Sequence, residues 1–251
     1  MMEGQDKQAE IAFFDGFGET GGYDVITEAG YQRILAELLK HCRAGEDLKV
    51  LDLGCGTGSF TARLAGRFPN VAGVDLSPKC VAAAARRYPH IAFSAGDAES
   101  LPYPDRSFDI VTLFGVLHHF PRREDALKEP RRLLKDGGVL FTYDPNINNP
   151  FFWVRYSERS PLRSTGNITK NEILFAKREL GQVLANAGFR VRELKSIAGV
   201  TLDVRHRKYQ GGVKVGVRIF NGVERLFDLP VLRDLFGSAI ISISTRSDAK
   251  G

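Results

Sequence analysis

The sequence predicts an α/β fold, an open and mostly parallel sheet with helices on both faces. Three observations predict it. Short apolar runs alternate with stretches of helical spacing, the pattern of parallel strands joined by crossover helices. The first run, Leu48 to Leu53, ends in Gly54-Cys55-Gly56-Thr57-Gly58 and feeds a helix, Ser59 to Phe68. Acids stand at the ends of the first two strands, Asp52 and Asp75.

The elements follow in chain order. Ala9 to Gly22 sets Phe13, Phe14 and Phe17 among Gly16, Gly18, Gly21 and Gly22. That glycine density predicts a mobile segment, and the phenylalanines predict an apolar surface beneath it. Tyr31 to His41 carries Ile34, Leu35, Leu38 and Leu39 at helical spacing. After the first strand and its helix, Phe68-Pro69-Asn70 breaks the chain before a second strand, Val71 to Asp75. Ser77-Pro78 supplies an N-cap and a first-turn proline for the next helix, which Tyr88-Pro89 ends. Ile91 to Ala95 is the third strand and Ile110 to Phe114 the fourth, apolar enough to be central.

Arg122 to Leu134 is a helix in which Pro130 predicts a kink near Glu129. Lys135-Asp136-Gly137-Gly138 reads as a glycine C-cap turn, and Val139 to Tyr143 as the fifth strand. Residues 146–176 are irregular and rich in aromatics and arginine, a substrate-side insertion. Thr169 and Glu172 suggest a capping box before the helix Lys177 to Ala187, and Phe189 opens the sixth strand. Residues 200–237 form a second insertion. It holds the basic cluster Arg205, His206, Arg207 and Lys208, and an amphipathic helix through Val213, Val217, Phe220, Val223, Leu226 and Phe227. Ser238 to Ser244 is the last strand. The whole, 1–251, reads as one domain, with residues 1–45 as an N-terminal lid and helix.

The glycine turn limits the chemistry. Its G-x-G-x-G spacing lacks the lysine of a triphosphate-binding loop and departs from the dinucleotide fingerprint. An acid at Asp52 would repel a pyrophosphate and suits a ligand bearing a cation. Asp75 follows the glycines by about 20 residues, where doubly wound folds place an acid for ribose hydroxyls. Val50-Leu51-Asp52-Leu53-Gly54-Cys55-Gly56-Thr57-Gly58 and Asp75 together resemble the class I S-adenosylmethionine-dependent methyltransferases, over roughly Leu48 to Tyr143.

The resemblance implies a Rossmann-like three-layer sandwich of seven strands, the last antiparallel. It implies S-adenosylmethionine as cofactor and S-adenosylhomocysteine as product. Asp52, Leu53 and the turn Gly54, Cys55 and Gly56 would hold the aminocarboxypropyl end. Asp75, with Leu76 and Ser77, would hold ribose and one adenine face. Gly96, Asp97 and Ala98 would meet the rest of adenine, and Phe114 the sulfonium, where a ring face favours a cation. In this family the N-terminal segment often covers cofactor and substrate; a tail packed on the core is the alternative here. Tyr23 or Tyr31 could also face the site.

The acceptor side is less marked. Leu117-His118-His119 leaves the fourth strand as L-H-H patterns do in many family members, and histidine is the usual base near neutral pH. Asp144, ending the fifth strand, could orient or deprotonate a hydroxyl. No Asn-Pro-Pro-Tyr tetrad follows the fourth strand, which argues against methylation of DNA base amines. No metal-ligand cluster is visible, so no metal is expected. The net charge of +5 permits an anionic substrate or peripheral contact with an anionic membrane, and makes nucleic acid a weaker partner. O-methylation of a small or lipid-linked metabolite follows, with cofactor binding without transfer, or RNA or protein methylation, as alternatives. Three cysteines without disulfide or metal spacing and a polar N-terminus suit the cytoplasm, and the oligomeric state is open.

Overall fold

The computed structural model describes residues 5–20, 25–44, 47–163, 169, 171–206 and 210–247, with backbone alone at 17, 19 and 20. Gly21, Gly22, Tyr23, Arg207 and Lys208 lie outside these residues, as does the Phe17 side chain. Helices α1 (Lys7–Thr20) and α2 (Glu28–Leu38) precede β1 (Lys49–Leu53), α3 (Ser59–Ala65), β2 (Asn70–Asp75), α4 (Pro78–Arg87) and β3 (Ala92–Ala95). Then come β4 (Phe108–Phe114), a 3₁₀ turn (Leu117–His119), α5 (Arg123–Ala126), α6 (Lys128–Leu133) and β5 (Leu134–Pro145). The chain ends with α7 (Pro150–Tyr156), α8 (Lys177–Asn186), β6 (Phe189–Ile197), α9 (Gly211–Phe227), α10 (Pro230–Phe236) and β7 (Ala239–Arg246).

The seven strands form one sheet in the order β3-β2-β1-β4-β5-β7-β6. Strands β1 to β5 run parallel, and β7 is antiparallel to both β5 and β6. This is the expected Rossmann-like sandwich. The pleat divides its core in two. Val50, Ile110 and Phe141 face a cluster under α2 and α3, while Leu51, Leu53, Val111 and Leu113 face one under α5, α6 and α8. Both faces of β1 and β4 are therefore dry, as their continuous apolar runs require.

Several expectations need correction. The glycine-rich N-terminus is helical: α1 packs on α4, and a Cβ on Gly18 would lie 2.6 Å from the Lys79 carbonyl carbon. At Gly18 the missing side chain serves the close approach of two helices. Lys135 to Gly138 is a bulge within β5, across which pairing jumps from Phe108↔Leu134 to Ile110↔Val139. The Arg122–Leu134 helix is broken at Leu127, between α5 and α6 and just ahead of Pro130, where a kink was expected. Residues 146–176 are not wholly irregular, since Asn149 caps α7 by accepting from Phe151 N, with Pro150 in the first turn. The Glu172 carboxylate does accept from Thr169 N at 3.3 Å, but no helix starts there. Ile173 N instead donates to His118 O and Phe175 bridges to Asn146, so the segment is tied across the sheet rim until α8. In α9 the buried seam is Val217, Phe220 and Glu224; Val213 and Leu226, expected inward, are exposed.

Candidate active site

The glycine turn sits at the carboxyl end of β1. Gly54, Gly56 and Gly58 all have left-handed backbones, with φ of 72°, 52° and 81°. Gly54 N and Cys55 N both donate to Val74 O, which pins the turn to β2. A Cβ at Gly54 would meet Val116 Cγ2 at 2.4 Å, whereas one at Gly56 would meet no protein atom within 4 Å. Gly56 therefore faces open space. That space is a cleft of about 140 Å³ between the turn, the ends of β2, β3 and β4, and α1.

Two carboxylates anchor the turn. Asp75 Oδ2 accepts from Gly56 N at 2.7 Å and Oδ1 from Ser77 N at 2.9 Å. Each oxygen keeps a further lone pair for a ligand hydroxyl. Burial raises the Asp75 pKa above its ordinary value, against the two N–H groups that lower it. Asp52 is wholly buried. Its register places it beside Thr112 on β4, and its oxygens accept from Thr112 Oγ1 at 2.6 Å and Thr61 Oγ1 at 2.7 Å. Burial outweighs those hydroxyls and pushes its pKa to about 6, with Asp75 adding repulsion.

The N-terminal helix supplies the opposite wall. Lys7 Nζ lies 2.5 Å from Asp97 Oδ2 and 2.6 Å from Glu99 Oε2. Asp15 accepts from Ser77 Oγ at 2.6 Å. Glu10, 1% exposed, accepts from Asn171 Nδ2 on Oε1 at 2.8 Å. Its Oε2 makes no hydrogen bond and stands 3.3 Å from His119 Nδ1. Phe14 meets the His119 ring edge-on with centroids 5.1 Å apart. Burial and the neighbouring His118 hold the His119 pKa below its usual value. Burial pushes Glu10 the other way, but His119, Thr169 and Asn171 outweigh it, so its pKa is lowered.

Of the residues singled out in the sequence, Asp52, Gly54, Cys55, Gly56, Asp75, Leu76, Gly96, Asp97, Ala98, Phe114 and His119 line the cleft. Leu53 does not, because strand alternation turns it into the core. Ser77 lies just behind as the N-cap of α4. His118 and Asp144 are also behind the wall: His118 Nδ1 is 2.8 Å from Asp144 Oδ1, and Asp144 Oδ2 is buried without a partner. Phe114 reaches the cleft but is stacked between Phe60 at 4.2 Å and Tyr143 at 4.5 Å. Both ring faces are covered, so it offers an edge and not the cation-binding face expected. Sequence reasoning missed Glu10, Gln5 and Phe60. Glu10 carried a usable signal, an acid one turn from the aromatic run that covers the cleft.

These residues fit a nucleoside bearing a cationic tail: an open glycine cradle, an acid with lone pairs left for hydroxyls, and a second, buried acid beneath. The fold and this site define a nucleoside-binding class, its cleft built at the carboxyl rim of a doubly wound sheet. Comparison with known proteins gives the family. A methyltransferase domain model matches residues 51–142. A malonyl-[acyl-carrier protein] O-methyltransferase of Geobacter sulfurreducens is 32% identical over 75% of this chain and 72% of that one. A demethylmenaquinone methyltransferase of Chlorobaculum tepidum is 38% identical over 47% of this chain and 50% of that one. The chain spans about half the length of the demethylmenaquinone methyltransferases that it matches first. A solved Haemonchus contortus phosphoethanolamine N-methyltransferase 2, in complex with S-adenosyl-L-methionine, superposes with a TM-score of 0.66 at 18% identity. That match covers 96% of this chain and 57% of that one, and supports the fold. The chain belongs to the class I S-adenosylmethionine-dependent methyltransferases, and S-adenosylmethionine is its cofactor.

Proposed function

We propose that the protein methylates an oxygen of a small or lipid-linked metabolite of the sugar, quinone-precursor or polyketide kind. The observation that carries this is the Glu10–His119 pair on the cleft wall. Bound S-adenosylmethionine supplies an activated methyl group; what remains for the protein is to align an acceptor and take its proton. His119, kept neutral, is the base, and Glu10 stabilises the imidazolium as it forms. His118, held by Asp144, fixes the 3₁₀ turn that carries His119 and does not itself take the proton. Asp75 takes the ribose hydroxyls, with Leu76 and Ala98 beside adenine. Backbone at Gly54 and Gly56 takes the carboxylate end. Asp52 acts from beneath the turn as a buried counter-charge to the ammonium.

Asp97 meets the adenine amino group with one oxygen while keeping Lys7 on the other. A hydroxyl is one acceptor that would give its proton to such a base; the name of the Geobacter relative supports oxygen as the acceptor atom, and the Chlorobaculum name supports a quinone precursor. We read the chain as one domain acting in the cytoplasm. A mass-detected methyl-transfer assay over metabolite pools, with calorimetry of S-adenosylhomocysteine in parallel, tests the reading. Methylated hydroxyl products support it. Tight cofactor binding without any methylated product marks a sensor or partner subunit, and methylated RNA or protein alone moves the acceptor class.

A further inference from the structure

Helix α9 carries two apolar stripes and buries one. Val217, Phe220 and Glu224 point into the protein, where Phe151 and Phe152 of α7 close on Phe220. On the outer side Val215, Ile219 and Leu226 are 53%, 56% and 57% exposed. Their spacing of four and seven residues sets them in one row. Just beyond the helix Leu229, Val231 and Leu235 are exposed as well. One residue ahead of each α9 member stands a cation: Lys214, Arg218 and Arg225. None of the three pairs with a described carboxylate. The single acid of α9, Glu224, is buried on Ser238, Gly199 and Asn149. Asp228 is taken by Arg33 and Arg233, and Asp234 by Lys177.

We propose that this face of α9 and α10 docks on an anionic lipid surface, with the apolar row in the headgroup boundary and the cations on lipid phosphates. Charge selects the occupant. A second copy meeting this face about a twofold axis would set cation row against cation row with no acid to offer. A zwitterionic surface would leave the cations unanswered. Position agrees: Asn149, Gly199 and Ser238, which hold Glu224, follow β5, follow β6 and precede β7 at the carboxyl rim that also carries the cleft. Docking there brings the cleft to where an apolar acceptor would be drawn from the bilayer. The surface stands independently of methyl transfer.

Vesicle flotation of the full chain tests it without any turnover. Binding is expected to vesicles of equal parts phosphatidylcholine and phosphatidylglycerol, weak or absent with phosphatidylcholine alone, and weakened by salt. Arg218→Gln with Arg225→Gln should weaken binding about thirtyfold, and Ile219→Asp with Leu226→Asp should abolish it. Both variants should keep the melting temperature and the S-adenosylhomocysteine affinity of the parent, which separates loss of docking from loss of fold. Absence of binding to the mixed vesicles, equal binding to both kinds, or a dimer in sedimentation that Ile219→Asp dissolves would each overturn the proposal.

Discussion

Replacing Glu10 with Gln keeps the shape of the side chain and an acceptor for Asn171, and removes one negative charge beside His119. The structure sets the scale. Glu10 Oε2 is 3.3 Å from His119 Nδ1. At an effective dielectric of about 20, opposite unit charges at that distance attract by roughly 5 kcal/mol. His119 becomes charged only as it accepts the acceptor's proton, so this attraction acts on the transition state and not on the resting enzyme. Allowing about half of it to be replaced by relaxation and solvent, kcat should fall about a hundredfold, roughly 2.7 kcal/mol. Steady-state kinetics with the identified acceptor read kcat. The pH profile gives the second readout: loss of a nearby anion lowers the His119 pKa further, so the acid limb of kcat should move to lower pH. S-adenosylhomocysteine affinity and melting temperature should stay near the parent's. A kcat within threefold, or an acid limb that does not move, would refute the assignment of Glu10 to this proton transfer.

Asp75→Asn should weaken S-adenosylhomocysteine binding by about 1.5–3 kcal/mol in calorimetry, the scale for losing a charged hydrogen-bond partner; unchanged affinity removes Asp75 from the site. Cofactor affinity should rise with pH through about 6, where Asp52 ionises, and a proton should be released on binding, read from the buffer dependence of the enthalpy. Stability of the ligand-free protein should carry the opposite sign. An acid whose pKa is raised from 3.8 to about 6 favours the folded state at low pH, and that contribution is lost as pH rises through about 6. Denaturant titrations across that window check it. Gly18→Val should lift α1 off α4, since its Cβ would meet Lys79 backbone at 2.6 Å, and should lower cofactor affinity and turnover together while the sheet's circular dichroism persists; unaltered affinity would separate α1 from the cleft.

What was legible in the sequence is local. The glycine turn, Asp75 and the capped start of α4 lie within one strand–helix–strand unit: a left-handed φ at Gly56, an N–H to Asp75 from Ser77 two residues on and one from Gly56 nineteen residues back, and Ser77 accepting from Cys80 N. Periodicity also found α9, but it could not choose between two apolar stripes. That choice was made by Glu224, whose hydrogen bonds to Ser238, Gly199 and Asn149 turn its side of the helix inward. Gly18 was misread for a similar reason, because glycine is equally the residue of a loose segment and of a close helix crossing. Only the Lys79 backbone across from Gly18 decides which, and it lies on another element.

Helix α1 then explains why the acceptor side was the harder part to read. Lys7 reaches Asp97 at the adenine end, Asp15 holds Ser77 beside the ribose acid, and Glu10 meets His119 at the acceptor end. A single helix thus touches all three stations of the cleft, yet each contact is to a residue distant in sequence. On the cofactor side the glycine turn, Asp75 and Asp97 stand on the sheet rim, with Lys7 and Asp15 of α1 against that rim. On the other side, the Glu10 and Phe14 contacts to His119 both come from α1. Because one helix supplies the Lys7 and Asp15 contacts on one side of the cleft and the Glu10 and Phe14 contacts to His119 on the other, displacing it should impair both sides together.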